Sequence, residues 1–334
     1  MSSNIEWTDE TWNPFVGCSK VSPACDNCYA EVMARRLAGN PATPYYAGTI
    51  ADGKWNGNIC AAFDSVWAKP FEWKKPKRIF VGSMTDVFHP NVPTEWLDML
   101  FAVMGLNQQH TFMVLTKRAE RMHQYVAGIG KHRSVDGPSR AAKKFSSSAV
   151  WEYTMCRGGF ALPNVWLGVT TENQEQADKR IPALLDTPAA KRFVSIEPML
   201  GPVDLTTIRH GADEALPVFG TQWGLDWVIC GGESGPSARP SHPDWFRGLR
   251  DQCKEAGVPY FFKQWGEWAE DGWVHAGTSF DSNHITFNWN HEVAHSREEL
   301  TPSCNFTMKR VGKKAAGHML DRQEWRQVPE VKHG

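Results

Sequence analysis

The chain has 334 residues, 41% hydrophobic and 22% charged, with a formal net charge of −1, an ordinary globular balance at a length that buries a substantial core. Near-neutrality excludes coating nucleic acid by counterion release alone. No apolar run reaches the roughly 20 residues that span a bilayer, and Met1 to Asn13 lacks a signal-peptide pattern, so a cytoplasmic protein is expected and its eight cysteines read as thiols or metal ligands.

In chain order, Cys18, Cys25 and Cys28 come first, spaced C-x6-C-x2-C with Tyr29 directly after the third. A closed structural zinc site takes four Cys or His ligands in paired short spacings. This loop holds no histidine, and Cys60, Cys156, Cys230, Cys253 and Cys304 supply no second C-x-x-C. Three thiolates without a fourth suit a [4Fe–4S] cluster with one iron left open.

Tyr29 to Ala38 predicts an amphipathic helix stopped by Gly39. Apolar runs at Arg78–Gly82, Thr111–Leu115, Val165–Val169, Arg192–Ile196, Trp227–Cys230 and Pro259–Phe262 predict strands. Helical patterns follow several of them, at Thr94–Met104, after Thr116, through Leu185 and at Asp244–Ala256. This β-then-α rhythm predicts an α/β fold with a parallel sheet, either a partial or full (β/α) barrel or an open doubly wound sheet. In such folds the site lies at the carboxyl ends of the strands. That rule gathers the cysteine loop, Ser83 and Asp86, Lys117, Thr170 and Glu172, Ser195 and Glu197, the GGESG turn with Gly231, Gly232 and Glu233, and Lys263 around one mouth. One barrel over residues 1–265 is expected, with an insertion at about 128–163 and a C-terminal extension, 266–334, packed on it. The insertion carries Lys131, Arg140, Lys143 and Lys144 and reads as a solvated loop or a phosphate-binding flap. The sixteen tryptophans read as core anchors or as base-stacking platforms.

Three cysteines after a first strand, an aromatic at Tyr29 and a following helix resemble the cluster loop of radical S-adenosylmethionine (SAM) enzymes, with three more residues in the first gap than the commonest spacing. WNPFVGCSKVSPACDNCYA, SMTDVFH, LTKR, GVTTEN, SIEPMLGPVDL, GGESGPSARP and FFKQWGEW together resemble a family of uncharacterised phage and prophage proteins with a three-cysteine motif, over nearly the whole chain. The S-x-T-D arrangement is similar to that of relatives of spore photoproduct lyase, which act on DNA.

The resemblance implies a barrel of the radical SAM type whose Cys18, Cys25 and Cys28 hold a [4Fe–4S] cluster. It implies SAM as second cofactor, cleaved reductively to a 5′-deoxyadenosyl radical, a reductant protein of the flavodoxin or ferredoxin type, and a nucleotide or nucleic acid as substrate. On that reading Ser83 and Asp86 accept from the SAM ammonium, Lys117 pairs with a carboxylate, and Thr170 and Glu172 meet ribose hydroxyls. Ser195, Glu197, Gly231 and Gly232 line the cofactor, and Arg239 binds a carboxylate or phosphate. Glu233 and Lys263 are the expected catalytic groups. Helix capping by Ser83 or Asp86 and a bare tight turn at the glycines are the plain structural alternatives. Two further functions stand beside it: a non-catalytic zinc or iron–sulfur nucleic-acid-binding protein, and a hydrolase or nuclease using Asp86, Glu197 and Glu233 with a divalent ion.

Overall fold

The apolar runs fold into strands rich in β-branched and aromatic residues: β1 (Glu10–Trp12), β2 (Arg78–Val81), β3 (Thr111–Thr116), β4 (Val165–Thr170), β5 (Lys191–Ile196), β6 (Trp227–Cys230) and β7 (Tyr260–Phe262). The computed structural model describes residues 5–131, 136–145, 154–156, 159–210, 214–274, 283–288, 290–294 and 305–330. In space the seven strands stand in chain order, each parallel to the next.

A doubly wound sheet reverses its strand order at a switch point, and this one has no reversal. Right-handed crossovers therefore place the helices on one face and let the sheet curl around the other. Among the described residues five helices of nine residues or more lie in these crossovers: α1 (Tyr29–Leu37), α2 (Thr94–Leu106), α3 (Ala119–Lys131), α4 (Gln174–Asp186) and α5 (Pro243–Ala256). Between β5 and β6 the described residues form no helix, only the strand pair Ile208–His210 and Glu214–Leu216. The architecture is a half-barrel, the partial form of the barrel expected from sequence, with β1 and β7 as its edges.

Alternation along the strands divides the interior in two. Ile79, Val81, Phe112, Val114, Leu167, Val169, Val194, Ile196, Val228 and Phe262 pack in the main core with the helices. Phe80, Met113, Trp166, Phe193, Trp227, Ile229 and Phe261 fill the inner face with Trp7. Because both faces are buried, the strands read as continuous apolar runs. Gly168 sits beneath an inner-face ring, and a Cβ there would lie 2.6 Å from atoms of Phe193.

Tryptophan serves this core. Trp7, Trp12, Trp67, Trp166, Trp227, Trp245, Trp265 and Trp268 are buried, and no tryptophan of described burial is exposed. Trp12 Nε1 donates to Val66 O, Trp227 Nε1 to Gln327 O, Trp265 Nε1 to Met319 O and Trp268 Nε1 to Ala238 O, each at 2.8 Å, whereas Trp7 Nε1 and Trp245 Nε1 are buried without a partner among the described residues.

The described part of the basic insertion is also structural. A short helix, Asp136–Ala142, docks Ala141 and Ala142 on Ala102 of α2, so Arg140 of this helix and Lys143 and Lys144 of the turn after it, all exposed, ride on the helix layer. Lys131 ends α3, and the remainder of the expected flap lies outside the described residues. In the extension, β8 (Trp268–Val274), β9 (His284–Phe287), β10 (Val293–Ala294) and β11 (Asn305–Arg310) form an antiparallel sheet in the order β8-β11-β9-β10. Its Phe287, Phe306 and Met308 share the main core with Trp245 and Phe246 of α5. The final segment covers the β7 edge, where Phe262 N donates to Trp325 O at 2.8 Å and Gln327 N to Tyr260 O at 3.2 Å, as an exposed strand edge requires. Among the described residues no helix is long and apolar enough to cross a membrane.

Adding a methyl at Gly168 overpacks the Phe193 contact, so Gly168→Ala is expected to lower stability by about 1–3 kcal/mol, read as a drop in urea midpoint at constant slope. An unchanged midpoint would show that Phe193 does not lie against Gly168.

Candidate functional site

The cysteine loop lies across the carboxyl ends of the strands and is held there by buried carboxylates. Asp86, beyond β2, accepts from Thr116 Oγ1 at 2.6 Å, Phe88 N at 3.0 Å and Lys117 N at 3.0 Å, and pairs with Arg118 Nη1 at 2.8 Å. Arg118 in turn donates from Nη2 to Ser19 O at 2.9 Å and Ser19 Oγ at 3.1 Å, and its Nη1 stands 3.9 Å from Cys18 Sγ. Burial opposes the Arg118 charge, yet Asp86 and Cys18 leave its pKa raised. His89 completes the corner. Its Nδ1 accepts from Asn91 N at 3.1 Å, so Nε2 carries the proton and donates to Ser19 Oγ at 2.8 Å. Burial first and Arg118 second hold His89 neutral, with a pKa lowered to about 4.

The middle of the loop has its own anchor. Glu172, beyond β4 and fully buried, accepts from Ala24 N at 3.2 Å and from Arg180 Nη1 of α4 at 2.9 Å. Desolvation pushes its pKa up, but the Arg180 charge and hydrogen bonds prevail and hold it below the ordinary glutamate value. The far end is held by Glu233, beyond β6. Glu233 Oε2 accepts from Arg239 N at 2.8 Å, Arg239 Nε at 2.8 Å and Asn27 Nδ2 at 3.0 Å, and Oε1 accepts from Arg239 Nη2 at 2.6 Å. That guanidinium also donates to Pro23 O at 2.9 Å and approaches Asp26 Oδ2 at 3.4 Å. Against desolvation, the Arg239 and Asn27 hydrogen bonds keep Glu233 below its ordinary value as well.

Within this frame Cys25 is buried and Cys18 and Cys28 are half-buried, all three free. Burial, then the nearby Asp86 charge, pushes the Cys18 thiol up to about 12 against the pull of Arg118, and Cys28 is close enough to add to the rise. Tyr29 is 56% exposed, and its hydroxyl donates to Ser83 O at 2.9 Å. Burial of that end, then the charges of Cys28 and Glu197, raise the phenol above its ordinary range.

The donor set can be tested against candidate groups. One metal ion needs ligand atoms within a single coordination sphere, and among the described residues the group of three that lies within 4.8 Å is His242, Asp244 and His291, not the cysteines. Those two imidazoles are stacked 4.0 Å apart at 14°, so their ring edges do not converge on one point. Among the described residues the cysteine sulfurs therefore form no such close group for a single ion.

The family model described as protein of unknown function (DUF5131) matches residues 2–329. The chain belongs to that family. No curated protein and no solved structure matches it.

The same geometry redistributes the expected roles. Asp86, Glu172, Glu233 and Arg239 grip the loop, with no carboxylate oxygen of the three left without a hydrogen bond. Ser83 Oγ exchanges hydrogen bonds with Asn13 at 3.0 and 3.3 Å. Lys117, Thr170 and Ser195 remain at the mouth. Lys117 Nζ and Ser195 Oγ have no hydrogen-bond or ion-pair partner among the described residues, and the neighbouring Thr171 hydroxyl is buried without one. Gly232 is required by the chain itself, since a Cβ there would meet Trp265 O at 1.9 Å. Trp265 packs between Phe246 and Phe262, at 5.3 and 5.1 Å, and is a core residue. Gly231 has a different task. Ile196, Cys230 and Phe262 are register partners, so one residue further Glu197, Gly231 and Lys263 form a cross-strand row. With no side chain at Gly231, Lys263 Nζ reaches Glu197 Oε1 across it at 2.6 Å.

Arg118, Arg180, Asn27 and His89 are the site residues that sequence reasoning missed. Arg118 lay in plain view beside Lys117. Arg180 is eight residues past Glu172, a helix-face separation that becomes informative only once the strand end is known.

Removing Glu172 leaves a buried, unpaired guanidinium, so Glu172→Ala is expected to cost about 3–5 kcal/mol, measured by chemical denaturation; a loss within experimental error would sink the anchor. Because Glu172 and Glu233 have depressed native pKa values, their stabilisation is complete above the unfolded value of 4.5 and declines as pH falls through the lower native values. Proteolytic nicking between Pro23 and Cys28 should therefore rise only on acidification past that range, and a loop equally open at pH 7 and in acid contradicts it.

Proposed function

We propose that this protein is an iron–sulfur enzyme of the radical SAM kind that modifies a nucleotide or nucleic acid. One observation carries the reading: three free thiols on a single loop, pinned by carboxylates from three strand ends, at the mouth of a parallel half-barrel. A loop gripped at Ser19, Ala24, Pro23 and Asn27 holds its thiols in place before any cofactor arrives, which is the preorganisation that cofactor chemistry requires of a protein.

Cys18, Cys25 and Cys28 are the residues that would hold a [4Fe–4S] cluster. Together with SAM, that cluster supplies a reactive radical for hydrogen abstraction when reduced. The protein orients and shields. Arg118 offsets charge beside Cys18, and the aromatic inner face closes the barrel below the mouth against water. Lys117, Thr170, Ser195, Glu197 and Lys263 leave polar atoms facing a bound molecule. A flavodoxin- or ferredoxin-type protein would supply the electron. The non-catalytic nucleic-acid-binding alternative draws no support from the tryptophans of described burial, none of which is exposed, or from the described basic helix, which packs on α2.

Anaerobic reconstitution with iron and sulfide, followed by reduction and addition of SAM, should give a brown protein that forms 5′-deoxyadenosine. Cys18→Ala, Cys25→Ala and Cys28→Ala should each abolish cluster absorbance and product, while Cys60→Ala leaves both within twofold. Equal cluster loss in Cys60→Ala, or a fully loaded protein that yields no 5′-deoxyadenosine with nucleotide or DNA present, would reject the reading.

A further inference from the structure

Glu197 differs from the other carboxylates at the mouth. Glu172 and Glu233 are engaged by the loop and by Arg180 and Arg239, and Asp86 by Arg118, which itself holds Ser19. Glu197 Oε1 accepts from Lys263 Nζ at 2.6 Å, whereas Oε2 and the remaining Lys263 N–H groups have no partner among the described residues. The two side chains are 20% and 14% exposed, open enough to meet a ligand and enclosed enough to hold their geometry. Phe261, the next inward residue below Lys263, belongs to the apolar inner cluster, so the pair stands on an apolar floor, as the few polar groups of a ligand pocket usually do.

We infer that Lys263 and Glu197 together read a neutral donor–acceptor edge of the substrate, an N–H beside a carbonyl as on the lactam edge of guanine or thymine. The inference rests on the nucleotide reading above and narrows it to the part of the nucleotide that reaches this floor. A phosphate would gain from Lys263 and be repelled by Glu197 beside it. A cation meets the reverse. A neutral edge uses both groups at once, its N–H donating to Glu197 Oε2 and its carbonyl accepting from Lys263, each a charge-assisted hydrogen bond. Gly231 leaves the space between them open: a Cβ there would make ordinary contacts with Lys263 Cβ at 3.5 Å and Glu197 Cδ at 3.6 Å, whereas a longer side chain would part the pair.

The test is a binding measurement that needs no turnover. Guanosine and thymidine, and their 1-methyl and 3-methyl counterparts, which lack the N–H, are titrated calorimetrically into the full chain, with inorganic phosphate as competitor. Sites built to hydrogen-bond a group reject analogues lacking it, so the methylated nucleosides should bind at least about tenfold more weakly. That gap should vanish in Lys263→Met and in Glu197→Ala. The double variant Glu197→Gln with Lys263→Met, which leaves no unpaired charge, should lose the gap while keeping the wild-type melting temperature. Equal binding of methylated and unmethylated nucleosides, no nucleoside binding at all, displacement by phosphate, or a gap that survives in the double variant would overturn the inference. Selective binding by a chain that loads no cluster would instead reject the radical reading and leave this one standing.

Discussion

A buried carboxylate cannot remain without partners, and in this protein that constraint builds the site. Three strand ends project acids into the space under the cysteine loop, and each needs cations or N–H groups to offset its desolvation. Arg118, Arg180 and Arg239 supply the charge, while the loop and the adjoining strand ends supply much of the rest. The Glu172–Arg180 pair is the clearest case, with side chains 0% and 4% exposed. Such pairs add little net stability over apolar replacements but tolerate no missing partner. The loop is therefore specified more strongly than it is stabilised.

The half-barrel explains why the polar chemistry is confined to one layer. Strands in chain order curl around a single inner face, and large aromatics fill that face to the height of Phe193 and Phe261. Ser195, Glu197 and Lys263 project inward just above. Below the mouth there is close-packed ring surface, so a ligand entering at the strand ends meets a floor after one polar row. The sheet does not close on itself: β1 and β7 remain its two edges, and the β7 edge is covered by the final segment.

Much of this was legible in the sequence. Strand runs and strand-end motifs were visible because the strands are buried on both faces and the rule of carboxyl-end sites is topological. The division of labour was not. Glu233 looked catalytic because it lies inside a glycine turn, yet its partners are Arg239, six residues on, and Asn27, 206 residues away. No local pattern encodes the second distance. Tryptophan abundance was equally ambiguous until the fold showed Trp7, Trp166 and Trp227 meeting edge to face on the inner surface. The missing helix between β5 and β6 had no clear signal either, since the polar and proline-containing stretch after Ile196 is compatible with any long connection.

The paired glycines show how closely these constraints are coupled. Gly232 is small because the backbone at Trp265 passes through the space its Cβ would need, and at Gly266, with φ of 85°, a Cβ would meet Glu233 O at 2.0 Å. Gly232 N donates to Gln264 O at 2.8 Å and Glu267 N to Glu233 O at 3.1 Å, which ties the ends of β6 and β7 together. That places Lys263 within reach of Glu197, across the position that Gly231 leaves without a side chain. Glu233 then leaves the same turn toward the cysteine loop. Three successive residues thus serve backbone approach, a side-chain gap and an anchor, and a change at any one of them propagates to the other two. The turn joins the thiol loop to the floor of the mouth, so the position of a molecule bound on Lys263 and Glu197 is set by the same backbone that holds the cysteines above it.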